Sequence, residues 1–490
     1  MTETEHQQHI KSPSLIQALI PLLFLIILLG LSVKLFGSDS SSGANQIALL
    51  LAAGVAALVG VKNGFSWKLI EEGIVRGISM SLGALLILLA VGALIGSWII
   101  SGVVPTMIYY GLQIMSPHWF YLSTCAICAI VAISIGSSWT VAGTIGISMM
   151  TVAAGMGLSP EITAGAVISG AYFGDKMSPL SDTTNLAPAV AGTDLFSHIG
   201  HMVWTTLPSL IIAMTIFMFL GFGYDSSANS NDIAQFLQQI ETTFSPGLIM
   251  LLPVALVFGM AAMRFPAFPT IMIGAIVGAI FALIFQPEQV KHLAGLQGGM
   301  GLLKGVWISL FDGFKSDTGV AALDKLLSRG GMSSMLTTVW LIITAMTFGA
   351  VLETVGILTK IVDSLLKLVH STGSLIATTI FTCIGMNIIA ADQYIAIVLP
   401  GRMYRAEFAR RKLDPKNLSR TLEDSATLTS ALVPWNTCGA FMAATLGVAT
   451  LSYAPYAFFN WINPIVAIIY GFLNFKIVPI KEENESKVLA

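Results

Sequence analysis

Two aspartates and a lysine, Asp175, Lys176 and Asp182, fall in one short run of an otherwise apolar stretch long enough to cross a membrane. Ser178, Pro179, Ser181, Thr183, Thr184 and Asn185 stand among them. An Asp or Lys at a lipid-facing helix centre costs about 2.5–3.5 kcal/mol on insertion scales. Three such groups together must face protein or water, which marks a transport pathway. Pro179 breaks the helix, and the break frees backbone carbonyls as ion ligands. Hard oxygen donors of this kind suit Na+. Asp182, followed by Thr183, Thr184 and Asn185, is the first choice as its ligand. Asp175 is the second carboxylate and the candidate proton carrier. Lys176 is either its counter-charge or a cation pointing to a cavity.

The rest of the chain must hold these groups at depth. Of 490 residues, 55% are hydrophobic and 10% charged, with a mean hydropathy of +0.81. Soluble domains carry about 25% charged residues. Many apolar runs of about 20 residues match a hydrocarbon core roughly 30 Å thick, so the expected fold class is an all-α polytopic membrane protein. A net charge of −2 gives no basic field for nucleic acid. Neither a Walker loop nor a GxGxxG after a strand is present, which leaves ATP-driven transport and dinucleotide chemistry without support. No catalytic residue and no cofactor is expected. Cys125, Cys128, Cys383 and Cys438 all lie in apolar stretches. Cys125 and Cys128 have no nearby His and read as small core residues. The apolar run from about 13 to 36 exceeds a signal h-region and reads as the first span.

Candidate spans are 13–36, 45–62, 77–102, 160–190, 196–223, 244–263, 267–286, 331–355, 417–447 and 455–475, about ten in all. Segments 118–157 and 374–408 are apolar hairpins, each either re-entrant or two full spans. Segments 103–116 and 358–370 read as interfacial helices. Arg402, Arg405, Arg410, Arg411, Lys412, Lys416 and Arg420 outweigh Glu407 and Asp414, which makes that loop cytoplasmic. Lys360, Lys367, Arg264 and the cluster Lys62, Lys68 and Arg76 then fall inside. The 224–243 loop, with Asp225, Asp232 and Glu241, falls outside. Both termini lie inside, and the mixed charge of 287–330 decides nothing.

An internal repeat runs at a nearly constant offset of 255 residues. Ser116 corresponds to Ser371, Cys128 to Cys383, Gly146 to Gly401, Pro160 to Pro415 and Pro179 to Pro434. On the span count, the first hairpin enters from outside and the second from inside, an inverted-topology repeat with two discontinuous helices. The expected division is a tail at 1–12, scaffold spans at 13–62, and a first repeat at 63–195 with its broken helix at 160–190. Scaffold spans and loops follow at 196–317. A second repeat occupies 318–450 with its broken helix at 417–447, and a last span and tail occupy 451–490. In such folds cargo sits near the midplane, where discontinuous helices meet. The register sets the first tip, with Ser137, Ser138 and Thr140, opposite Ala391, Asp392 and Gln393. It also sets the break at Pro179 opposite the one that carries Asn436 and Thr437. Asp392, Asn436 and Thr437 are therefore expected to close the site from the other half.

These residues also carry a resemblance. The run Gly170 to Asn185 resembles the signature of the NhaC family of sodium–proton antiporters. So do Ala391 to Tyr394, Leu399 to Met403, Leu418 to Ser425 and Val433 to Gly439. The resemblance covers about 65–475. It implies membership of the ion transporter superfamily, with a scaffold domain, a transport domain bearing two hairpins, a homodimer and an elevator-like motion. A multi-pass protein of a prokaryotic cytoplasmic membrane follows, with lipid around it and Na+ and H+ as cargo. The substrate stays open, since relatives exchange malate for lactate or are assigned to amino acids.

The expected mechanism is ion–proton competition: a desolvated carboxylate takes up H+, and bound Na+ displaces it. Plainer readings stand beside each assignment. Asp175 and Lys176 also read as a structural pair. Ser137, Ser138 and Thr140 also read as helix caps, and Glu423 and Asp424 as neutralising the basic loop. His198 and His201 fit a solvated helix start better than a pH sensor. Trp139, Tyr394 and Trp435 either stack on an organic substrate or pack the hairpins. Na+/H+ exchange, coupled transport of an organic acid or amino acid, and a membrane scaffold are the three function classes. Only Lys176 offers an organic carboxylate a cation at depth, which disfavours the second.

Overall fold

The computed structural model describes residues 10–36, 40, 42–223, 230–263, 265–317, 324, 327–367 and 369–480. Residues 1–9 and 481–490 of the two tails, together with Asp225 and Arg264, lie outside the described residues, as does the side chain of Asp232. Among the described residues the regular structure is helical, with one isolated bridge between Leu413 and Pro479. Eight helices are long and apolar enough to cross a membrane, or up to ten when two bent pairs are each counted as one.

Leu15–Phe36 and Ala44–Lys62 pack on each other, and Ala44–Lys62 also packs on Leu336–Thr354. Leu336–Thr354 and Ala267–Phe285 both line the long helix Trp67–Ile100. That helix starts ten residues before the expected apolar span. Its first turns, with Lys68, Glu71, Glu72 and Arg76, are charged yet rich in good helix formers, and Ser66 caps its first turn by accepting the Leu69 N–H.

Three other boundaries differ from expectation. The loop expected outside at 224–243 contains a helix, Ser230–Phe244. The span expected at 244–263 is part of a bent pair, Leu237–Phe244 and Leu248–Ala261, with an 87° turn between them. Among the described residues, the 287–330 segment holds the helices Pro287–Ala294 and Gly298–Phe311, and the second packs on the long helix.

The first hairpin pairs Pro117–Ile135 with Ser138–Val141, a π-helical turn at Ala142–Gly146, and Ile147–Gly155. The first broken helix is Pro160–Met177 and Asp182–Ala191. Its first half packs closely on the first arm of the hairpin because glycine faces that arm one turn apart. A Cβ on Gly170 would stand 2.2 Å from the Cys125 carbonyl oxygen, and one on Gly174 2.4 Å from that of Ala129. Small residues at this spacing let helix backbones approach in membranes.

The second hairpin pairs Thr372–Ile389 with Gln393–Arg410. The second broken helix runs as Pro415–Leu422, a π-helical turn at Glu423–Thr427 and Leu428–Ser430, resuming at Thr437–Leu446. The expected interfacial segments contain the helices Val103–Ile114 and Ile357–Leu366.

Backbone conformation repeats at the 255-residue offset. Ser116 and Ser371, Ser159 and Asp414, Ser137 and Asp392, and Ser181 and Asn436 are pairwise helix N-caps. Gly136 and Ala391 are both left-handed, at φ 74° and 57°, as are Gly192 and Gly447, at 88° and 73°.

Candidate functional site: a carboxylate-lined cavity

Each hairpin tip meets the break of the helix that follows it. The Ser138 N–H and hydroxyl both donate to Asp175 Oδ2, at 3.0 and 2.6 Å. A Cβ on Gly136 would stand 2.6 Å from the Leu180 Cβ, so a glycine at this left-handed position also permits the tip to touch the break. In the other half, the Thr437 N–H donates to the Ala391 carbonyl at 3.0 Å. Asp392 caps the second arm of its hairpin, its Oδ1 accepting from the N–H groups of Tyr394 and Ile395 at 2.9 and 3.0 Å.

The two tips and two breaks surround a cavity of about 350 Å³. Asp175, Asp182 and Asp392 line it, with Ser137, Ser138, Ser181, Thr183, Gln393 and Thr437 as further polar groups. Met80, Ser81, Gly83, Ala84 and Ile87 of the long helix form the facing wall, and Trp139 and Tyr394 border it. Among the described residues, no Lys, Arg or His lines it. Asp182 is exposed there, while Asp175 and Asp392 are 7% and 4% exposed.

Seven expected ligands thus share one cavity: Ser137, Ser138, Asp175, Asp182, Thr183, Asp392 and Thr437. The remaining four turn elsewhere. The Thr184 hydroxyl donates to the carbonyls of Asp175 and Lys176 at 3.2 and 3.0 Å. The Asn185 amide donates to those of Pro179 and Ser181 at 2.9 and 2.7 Å. The carbonyls freed by the proline are therefore bonded by the helix's own side chains. Thr140 donates from its N–H and hydroxyl to Ser137 Oγ, at 3.2 and 3.0 Å. Asn436 caps Thr437–Leu446 and donates to Asn387. Trp139 stacks on Phe441, with centroids 4.0 Å apart and planes at 10°. Trp435 donates its indole N–H to the Ile388 carbonyl.

Lys176 is not the counter-charge of Asp175. Fully buried, it pairs with Asp424. Asp424 Oδ1 also accepts from the Thr205 hydroxyl at 2.9 Å and the Asn463 amide at 2.8 Å, and Arg420 Nε stands 3.8 Å from Oδ2. Arg420 is 1% exposed, so it belongs to this cluster rather than to the basic loop, and Glu423 and Asp424, at 0%, do not neutralise that loop. Among the described residues, neither oxygen of Glu423 has a hydrogen-bond partner. His198 and His201 are not solvated: they are 0% and 7% exposed, and His198 Nδ1 lies 2.8 Å from Ser419 Oγ. The sequence signals of this cluster were Lys176 and an acidic pair, Glu423 and Asp424, inside the expected span at 417–447. The pair's partners come from helices distant in the chain.

The chain's relatives carry related chemistry. Residues 170–475 match the model of the Na+/H+ antiporter family. The Na+/H+ antiporter NhaC of Alkalihalophilus pseudofirmus is 39% identical over 429 residues, 87% of this chain and 90% of that one. The malate-2H+/Na+-lactate antiporter of Bacillus subtilis is 39% identical over 428 residues, 87% and 89% of the two chains. The arginine/ornithine antiporter ArcD of Halobacterium salinarum is 34% identical over 482 residues, 97% and 95%. With apolar helices of membrane length and a family match across more than half its residues, this chain is a multi-pass membrane protein and belongs to the Na+/H+ antiporter family.

Proposed function

We propose that the protein is a secondary antiporter that exchanges Na+ for H+ by letting the two cations compete for the carboxylates of one cavity. The observation that carries this reading is the meeting of Asp175, Asp182 and Asp392 on one cavity, with no basic residue in its lining among the described residues. Asp182 is the principal Na+ ligand: it reaches the cavity and has no hydrogen bond or ion pair among the described residues. Asp175 is held toward the first tip by Ser138. Asp392, Thr183, Ser137 and Thr437 supply further oxygens. A carboxylate withdrawn from water is stabilised by either a proton or a bound cation, so occupancy by one releases the other.

The long helix forms one wall and the hairpins and broken helices the others. That division supports alternating access by sliding of the hairpin-bearing part past the long helix, within a homodimer. Re-entrant hairpins entering from opposite sides, both termini inside, and a prokaryotic cytoplasmic membrane complete the reading; the basic residues after the second hairpin support the orientation. A dicarboxylate such as malate would face three carboxylates and, among the described residues, no lining cation, so an organic anion fits this cavity less well.

In everted vesicles, addition of Na+ should dissipate an imposed proton gradient, and Asp182→Asn should abolish that response. Full activity in the variant would remove Asp182 from the site.

A further inference from the structure

Each broken helix resumes at the cavity and runs on from it as a ten-residue helix, Asp182–Ala191 in one half and Thr437–Leu446 in the other. Both end on a glycine in the left-handed region, Gly192 and Gly447. The last carbonyls of a helix have no partner within it and carry its negative end, and an arginine stands at each of these two ends. A Cβ on Gly192 would stand 2.8 Å from a guanidinium nitrogen of Arg405, and one on Gly447 would stand 3.6 Å from a guanidinium nitrogen of Arg329. Arg329 Nη2 also donates to the Thr445 carbonyl at 3.1 Å.

The two arginines come from different parts of the molecule. Arg405 lies on the second arm of the second hairpin, which packs on Asp182–Ala191, so its contact joins two elements of the hairpin-bearing part. Arg329 lies on a loop seated on the long helix. The Gly331 N–H donates to the Gly92 carbonyl at 2.7 Å, and a Cβ on Gly330 would stand 2.4 Å from the Gly96 nitrogen, so glycine is what lets the loop lie that close. The hydrogen bond from Arg329 to Thr445 therefore crosses from the wall to the part proposed to slide. Arg329, Asp312, Lys315 and Ser334 line a second cavity of about 610 Å³. Once free of Thr445, the guanidinium has room there and the Asp312 carboxylate to turn to.

We propose that Arg329 is a positioning residue that latches the second broken helix to the long helix. Its guanidinium holds the end of Thr437–Leu446 remote from the cavity and so favours this arrangement of the two parts. The hairpin-bearing part moves only when that hydrogen bond is released. The proposal rests on the sliding motion of the reading above, and not on which cation is carried.

The test uses the full chain reconstituted in liposomes, with Tyr394→Cys as reporter, since Tyr394 lines the cavity and is 38% exposed. Its rate of modification by a membrane-impermeant methanethiosulfonate is measured from each face, and the ratio of the two rates follows the populations of the two access states. Arg329→Gln should shift that ratio by at least about tenfold, the order of one hydrogen bond from a charged donor. Arg329→Lys, which keeps a cation at the helix end, should stay within about threefold of the parent. Arg405→Gln should leave the ratio unchanged, because a contact made equally in both states shifts nothing. An unchanged ratio in Arg329→Gln, a shift in Arg329→Lys as large as in Arg329→Gln, or an equal shift in Arg405→Gln overturns the proposal. If Arg329→Gln does not fold, Arg329→Met takes its place, and failure of both to fold makes the residue structural and overturns the proposal. Labelling from one face only in every variant overturns it too. None of these measurements uses Na+ or a proton gradient, so a wild-type chain without Na+-dependent proton flux would end the Na+/H+ reading separately.

Discussion

Two neighbouring carboxylates, Glu423 and Asp424, share a π-helical turn and the same burial, yet their environments are opposite. Asp424 receives Lys176, Thr205 and Asn463, whereas Glu423 receives no hydrogen bond among the described residues. Breaking a buried ion pair from one side leaves the other charge uncompensated, at about 3–5 kcal/mol. Asp424→Asn should therefore lower stability by that order. Glu423→Gln removes a desolvated carboxylate without a partner, so it should leave stability within about 1 kcal/mol or raise it. Unfolding midpoints of the purified protein in detergent check the contrast. Equal losses would mean that the Lys176–Asp424 pair does not organise this cluster. The divergence was not legible in the sequence: two adjacent acids in an apolar run look alike until the helices carrying Thr205, Asn463 and Lys176 are packed around them.

At the scale of elements, the chain twice uses one device: a hairpin tip in the left-handed region, an N-cap after it, and contact with a broken helix. The two copies differ in how easily they adopt the tip. Gly136 takes φ 74° without strain, while Ala391 takes φ 57° with a Cβ, a conformation that costs an L-residue roughly 1–2 kcal/mol. Gly136→Ala should destabilise by at least about that amount, because its methyl also meets Leu180, and it should slow Na+-dependent proton flux by displacing the tip. Ala391→Gly should be neutral or stabilising, the relief of strain offsetting the extra freedom of glycine in the unfolded chain. Thermal unfolding of the two variants reads the opposite signs. A cap is legible in the sequence at the first tip, in Ser137, whereas Asp392 and Asn436 read there as cation ligands. The π-helical turns at 142–146 and 423–427 were not legible, because no residue type in either run demands one.

At the scale of the whole molecule, the proposed inverted arrangement makes a prediction about sides. Ser116 and Ser371 cap the first arms of the two hairpins and are both exposed. A membrane-impermeant maleimide applied to right-side-out vesicles should label Ser116→Cys directly and Ser371→Cys only after permeabilisation. The four native cysteines are buried, so background labelling should be low. Labelling of both from the same side would end the inverted reading and the opposed hairpins with it.

The sequence by itself determined that the chain is helical and membrane-spanning, and that Asp175, Asp182 and Asp392 belong to interrupted elements. Each of these depends on hydropathy, prolines or caps within a turn or two of the residue concerned. Tertiary structure alone decided which polar groups face the cavity. It turned Thr184 and Asn185 onto the carbonyls their own proline had freed, carried Lys176 to Asp424, and buried His198 and His201. The reason is physical. A buried polar group must find a partner wherever the packed helices offer one, and for Lys176 that partner lies 248 residues along the chain, beyond the reach of any local pattern.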